Sequence, residues 1–368
     1  MGLNIWRVAT LPFLLSVGSV IAYAGARPFP GTEDIPDLMA RATLVCKGEV
    51  DAAPTPRFVP SAEGMPGMTA VAFVRPDRCF KGDPHDSSIP VLFDGFVSGV
   101  DSSSFVLRKG DYRLFFLKPH DRSYEVVDTW FGALPVSCKL SSLSTGNDGM
   151  YLLELDLKAG LRDADHNRVL DSIRMLGNMK RLRSTRELKE LAQNAPELLV
   201  KTYVWQALLR LKDYSVLPAL AAFFASQPEP PHELLLPRDR QLEMYYELTR
   251  EIAGMRDPST LPFLERFAVT GKGSELRVQA LQAMRMIESP HSAAAFLTAL
   301  DDTNPDNAFS AMQGLLSLAG GSSIDWVPTW KQFDEAPQFY AAKCREWWRA
   351  EGQTKAAARS ESSVTRPF

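Results

Sequence analysis

A chain of 368 residues is long enough for two ordinary domains, each burying its own core. With 45% hydrophobic and 23% charged residues the composition is globular and excludes wholesale disorder. A formal net charge of −3 and the lack of any Lys/Arg-rich run exclude the basic field that nucleic-acid binding requires, so no nucleic-acid partner is expected.

Arg7 supplies a positive start, and Val8 to Ile21 is an apolar run of the length of a signal-peptide core. Ala22-Tyr23-Ala24 then places small residues at the −3 and −1 positions of a cleavage site, with Ala24-Gly25-Ala26 as the alternative register. Residues 1–26 are therefore predicted to be a signal peptide and the protein to be secreted or periplasmic. A retained single-pass anchor is the rival reading, against which stand the short run, Pro12 and Gly18. No cysteine follows the run, which removes a lipoprotein anchor. Nothing later approaches the ~20 apolar residues of a membrane helix, so no membrane span is expected after cleavage.

Export would let disulfides form and persist. Cys46, Cys79, Cys138 and Cys344 allow three pairings. Three of them precede residue 140, so one bridge among Cys46, Cys79 and Cys138 is expected, its pairing left open. There is no C-x-x-C spacing of the kind that holds zinc or a redox pair.

A short helix at Pro36–Arg41 leads into strands punctuated by Gly, Pro, Asp and Ser. Thr43–Val50 is the first. Pro54, Pro56, Pro60 and Pro66 mark a loop that cannot be strand interior. Thr69–Val74 follows, with Pro76 as a bulge or edge before Arg78–Asp83, then Ile89–Phe93. Tyr112–Lys118 has an unbroken apolar centre, which suggests burial on both faces, and Tyr124–Asp128 pairs back. About five strands in this length suit a closed or partly closed barrel, because closure removes exposed edges.

Three motifs stand in that segment: Arg41-Ala42-Thr43-Leu44-Val45-Cys46-Lys47-Gly48-Glu49-Val50, Cys79-Phe80-Lys81-Gly82, and Gly110-Asp111-Tyr112-Arg113-Leu114-Phe115-Phe116-Leu117. They resemble those of bacterial secreted domains related to the netrin and tissue-inhibitor-of-metalloproteinase OB fold. The resemblance implies an OB-like domain over 35–142. It does not carry the zinc-chelating inhibition of that superfamily, which needs a cysteine at the mature N-terminus; here the first cysteine is Cys46. Oligonucleotide binding would need a basic groove with stacking aromatics. Phe115 and Phe116 sit together in an apolar strand and read as core.

After a linker at 143–167 the pattern changes to 3.6-residue periodicity. Val204, Ala207, Leu208 and Leu211 are spaced 3, 1, 3 on one helical face, and the spacing recurs in Ala280/Ala283/Met284/Ile287 and Ala311/Gly314/Leu315/Leu318. Leu248/Glu251/Ile252/Met255 is a poorer copy because of Glu251. Polar turns at Asp213, Asp257-Pro258 and Ser289-Pro290 introduce second helices. Asp213-Tyr214-Ser215-Val216-Leu217-Pro218 is matched by Asp257-Pro258-Ser259-Thr260-Leu261-Pro262. These helix pairs resemble HEAT-like repeats, Arg277-Val278-Gln279-Ala280-Leu281 standing for the first-helix signature. Such pairs must stack to bury both faces, which predicts an α-solenoid over 168–350. The inserted segments Gln227–His232 and Leu234–Pro237 would project from it. Trp326, Trp330, Trp347 and Trp348 would seal its end, and 351–368 would be a disordered tail.

Chemistry-bearing motifs are sparse. His85, His120, His166, His232 and His291 show no metal spacing, and there is no H-E-x-x-H, G-x-S-x-G, P-loop or dinucleotide fingerprint. Asp163-Ala164-Asp165-His166-Asn167 imitates a calcium loop but has Arg168 and Arg174 where Gly and Glu are needed, so it reads as a turn capping a helix. Glu187 and Glu190 read as a solvated face with no partner acid. No catalytic, cofactor or metal site is assigned. The expectation is a β + α multidomain protein, a small OB-like barrel followed by a HEAT-like α-solenoid. Its expected role is an exported, non-enzymatic binding or scaffold protein with an unidentified protein partner. A protease or hydrolase inhibitor acting through the barrel's loop Pro54–Pro66 is the alternative.

Overall fold

Alternation of apolar and polar side chains sets the N-terminal strands, and helical periodicity sets everything after them. The computed structural model describes residues 34–53, 57–60, 66–84, 86–96, 107–128, 131–142, 148–227, 240–321 and 324–364. The expected signal peptide, Pro54, Pro56, His85, His232 and the insertion after Gln227 lie outside these residues.

Helix α1 (Ile35–Arg41) is capped by Asp34, which accepts a hydrogen bond from the Asp37 amide. It is followed by β1 (Leu44–Ala52), β2 (Arg57–Pro60), β3 (Pro66–Lys81), β4 (Ile89–Phe96), β5 (Tyr112–His120), β6 (Ser123–Val126) and β7 (Ala133–Pro135). Five of these close on themselves in the order β1-β3-β4-β6-β5-β1. The β4–β6 pairing is parallel and the others antiparallel. This closed five-strand barrel is compatible with an OB-like domain. β2 and β7 are short additions on β3 and β5. The expected proline-rich loop is thus partly a hairpin, with Pro60 opposite Pro66 at its closing end. Proline is tolerated there because the ladder needs no further donor beyond the last pair.

β5 is buried on both faces, as its apolar run suggested. Phe115 and Leu117 point into the barrel with Leu44, Cys46, Val74 and Phe93, whereas Leu114 and Phe116 point outward. That outer wall is covered. α1, through Ile35 and Leu38, and α2 (Gly149–Gly160), through Leu152, Leu153 and Leu157, join Val45, Phe80, Leu114 and Phe116 in a second core that continues through the helices. Where the sequence suggested a linker at 143–167, α2 is therefore a structural wedge, and Glu33–Phe368 is one compact unit.

The helices are α3 (His166–Asn178), α4 (Thr185–Asn194), α5 (Leu198–Arg210), α6 (Leu217–Ser226), α7 (Arg240–Ala253), α8 (Leu261–Thr270), α9 (Ser274–Ile287), α10 (Ala293–Ala299), α11 (Pro305–Leu318), α12 (Trp330–Glu335), α13 (Pro337–Trp347) and α14 (Gln353–Val364). With α2 they make thirteen helices after the barrel among the described residues. α3, α5, α7, α9, α11 and α13 each pack on the next in that series. α6, α8 and α10 form a second series, with α8 against α9 and α10 against α11.

One joint recurs. A 3-10 turn precedes α4, α6, α8 and α10, at Leu182–Ser184, Tyr214–Val216, Pro258–Thr260 and Pro290–Ser292. Three of these turns follow a left-handed residue two positions earlier: Lys180 (φ 55°), Lys212 (φ 59°) and Glu288 (φ 54°). The 3-1-3 residues are buried as expected, apart from half-buried Ile287 and the one exception, Glu251. Glu251 is held by the Arg210 guanidinium of the preceding first helix at 2.6 and 2.7 Å. An acid is tolerated at a core position because its neighbour supplies the counter-charge. Trp347 and Trp348 are buried, and Trp326 and Trp330 pack half-buried against the same core.

The tail differs from expectation. A π turn at Trp348–Gly352 runs into α14, Ala356 is buried, and Arg359 pairs with Glu288 at 2.8 Å. Alanines and the Arg359–Glu288 pair give this polar segment a helical docking that composition alone concealed.

Candidate functional site

The densest chemistry lies on α2, the helix between barrel and helical layers. Asp156 faces the barrel and is fully buried. Its Oδ1 accepts from Arg78 Nη1 at 2.7 Å and from the Ser141 amide at 2.8 Å, and its Oδ2 lies 3.6 Å from Lys47 Nζ. Lys47 is also fully buried; its ammonium donates to the Lys139 carbonyl at 2.7 Å and stands 5.9 Å from the centre of the Tyr112 ring. Burial lowers the Lys47 pKa, and Asp156 opposes that shift. Burial likewise pushes the Tyr112 hydroxyl above its ordinary value.

Two residues back on the same helix, Glu154 faces the helical layers and is 1% exposed. It accepts from Ser184 Oγ at 2.7 Å and lies 3.3 Å from Lys158 Nζ and 3.8 Å from Arg181 Nη1. Lys158 then reaches Glu187 at 3.2 Å. Glu187, expected on a solvated face with no partner acid, shares Lys158 with Glu154. Burial pushes the Glu187 carboxyl up, but its backbone hydrogen bond and Lys158 more than offset this and hold it below the usual range. With Glu190, Lys158 and Leu191 it lines an open depression of about 350 Å³.

Among the cysteines the expected bridge is Cys46–Cys79, across β1 and β3. Cys138 is free and exposed, with Arg168 Nη1 donating to its sulfur at 3.0 Å, and Cys344 is free and buried. Asp163 and Asp165 serve the turn: Asp163 accepts from Ser137 Oγ and the Asp165 amide, and Asp165 caps α3. Half-buried His166 lies 3.3 Å from exposed Glu197, and exposed His120 lies 3.6 Å from half-buried Glu125. His291 sits in a 3-10 turn. No group of three or more metal-ligating side chains occurs among the described residues.

The chain matches no protein-family model and no curated protein.

On the barrel's outer surface Val71 and Phe73 of β3 stand opposite Leu92 and Pro90 of β4. Phe73 is 44% exposed, and the other three border an open depression of about 860 Å³ with His120 and Arg122. No described helix is long and apolar enough to cross a membrane.

Chemically, the α2 cluster is a set of mutually paired charges, whose Lys158–Glu187 end borders the open depression. It positions one layer of the molecule against another. Sequence reasoning missed Lys47, Arg78, Glu154 and Asp156, although a signal was present. Lys47 stands inside the apolar run Leu44–Val50, and Glu154 and Asp156 stand among Leu152, Leu153 and Leu157. Charges at apolar positions of short elements must find partners.

Proposed function

We propose that this is an exported, non-enzymatic binding or scaffold protein. In this reading a netrin/TIMP-like OB barrel is fused to a short α-solenoid of HEAT-like pairs, and the solenoid's surface takes a protein partner. The observation that carries it is the chain-order packing of α3, α5, α7, α9, α11 and α13, each first helix against the next, which supports an extended and repetitive surface. The α2 cluster supports a fixed relation between that surface and the patch of the barrel around exposed Phe73. Export rests on the apolar run Val8–Ile21 and is supported by a bridge of the kind oxidising compartments preserve.

The test is crosslinking of the full chain in envelope or culture extract, with the linked residues mapped. The expected result is one recurrent protein, linked through α5 to α11 and displaced by excess unlabelled chain. Absence of any saturable partner, or turnover of a substrate by the purified protein, would remove the proposal.

A further inference from the structure

Two irregularities on the β1–β3 ladder isolate a stretch only two pairs long. The register shifts between Val45 and Cys46 and again between Lys47 and Gly48, leaving Cys46 opposite Cys79 and Lys47 opposite Arg78 between them. One pair is the disulfide; the other is the pair of cations that grips Asp156. So short a run has little register preference from its ladder bonds alone, and a one-residue slip turns its side chains to the opposite face. Here that slip would carry Lys47 or Arg78 away from Asp156 and toward the apolar barrel interior. A covalent bond between Cys46 and Cys79 forbids it.

The next residue of β3 touches the same helix. A Cβ on Gly149, the first residue of α2, would lie 1.8 Å from the Phe80 carbonyl oxygen, so the helix start is seated directly on the strand. β3 therefore presents three successive residues to one purpose: Arg78 binds Asp156, Cys79 fixes the register, and Phe80 seats Gly149.

We infer that the Cys46–Cys79 bridge is a redox-sensitive latch on α2, whose reduction loosens the Lys47–Arg78 grip on Asp156 and frees the helix that joins barrel to helical layers. The reductant is a dithiol. One of its thiolates attacks a bridge sulfur and expels the other as thiolate, forming a mixed disulfide; its second thiolate then attacks the reductant's own sulfur in that mixed disulfide and expels the remaining protein thiolate. Two electrons and two protons pass to Cys46 and Cys79, and the reductant leaves as a disulfide. Cys79 is the entry point, being partly exposed where Cys46 is 1% exposed.

Hydrogen exchange on the full chain, with and without dithiothreitol in native buffer, reads the latch. Thiol titration in denaturant after quenching confirms reduction as free thiols rise from two to four. Amides of 149–160 are expected to exchange about ten-fold faster on reduction, and those of α9 to stay unchanged. In Asp156→Asn the α2 amides exchange fast with the bridge intact and reduction adds less than about two-fold. Arg78→Gln, a milder cut at a partly exposed residue, gives the same pattern where Asp156→Asn fails to accumulate. Unchanged exchange at 149–160 in fully reduced protein overturns the inference. So does equal acceleration in α9, since the bridge would then stabilise the molecule as a whole.

Discussion

Asp156 is the acid that two cations depend on, one of them with no exposure at all. Removing its charge leaves Lys47 buried beside the Lys139 carbonyl and the Tyr112 ring, neither of which carries a counter-charge. Asp156→Asn is expected to cost about 3–5 kcal/mol, the usual penalty for breaking a buried pair from one side. A lower urea midpoint at unchanged slope would show it. The pH dependence has a defined sign. Burial lowers the Lys47 pKa in the folded protein, so the unfolded chain binds that proton more tightly. Folding is penalised fully below the folded pKa and regains stability as pH rises toward the ordinary lysine value. Loss of Asp156 lowers the folded pKa further, so the gain in stability between about pH 7 and about pH 9.5 should be larger in Asp156→Asn than in the parent. Equal gains in urea titrations at the two pH values would contradict this. The free thiols should separate cleanly as well. Burial pushes the Cys344 thiol up to about 12, whereas Cys138 is exposed. Iodoacetamide on the native protein should label Cys138 alone, with Cys344 appearing in peptide maps only after unfolding.

At the scale of elements, the repeated joint carries strain that glycine would relieve. Lys212 is exposed and left-handed at the end of α5, a position where glycine has no Cβ penalty. Lys212→Gly is expected to add about 1 kcal/mol of stability, seen as a raised thermal midpoint. Lys180 and Glu288 occupy the same place in their joints but pair with Asp34 and Arg359, so glycine there would trade relief against a lost ion pair. Close approach between helices gives the opposite case. A Cβ on Gly314 would lie 2.3 Å from the Phe296 ring of α10. Gly314→Ala should lower stability by about 1–3 kcal/mol through overpacking. The 3-1-3 spacing and the turn phrase at Asp213 and Asp257 made these helix pairs legible, because each joint repeats its own local chemistry. The same signals hid α2 and α14, neither of which belongs to a repeated joint.

For the whole molecule, the continuous core matters more than the change of secondary structure at its middle. Val45, Leu114 and Phe116 are barrel residues that share a core with Ile173, Leu176 and the helices beyond. Barrel and helices should therefore unfold together, and calorimetry should give one transition whose van't Hoff and calorimetric enthalpies agree. Two separated transitions would show that the boundary near residue 142 is energetic as well as structural.

What the amino-acid order determined by itself was local and periodic: strands that alternate, helices that repeat every 3.6 residues, a bridge among the first three cysteines, and the burial of Phe115 and Phe116 on opposite faces of one strand. Each depends on neighbours within a few positions or on residue type. Tertiary structure alone decided which cysteine stayed free, that Glu251 would find Arg210, and that Lys47, Arg78 and Asp156 would meet. Those contacts join residues 41 to 109 positions apart, and chain periodicity carries no information over such distances. Only the closing of the barrel and the seating of α2 on it bring the charges together, at a cost in desolvation that their pairing offsets.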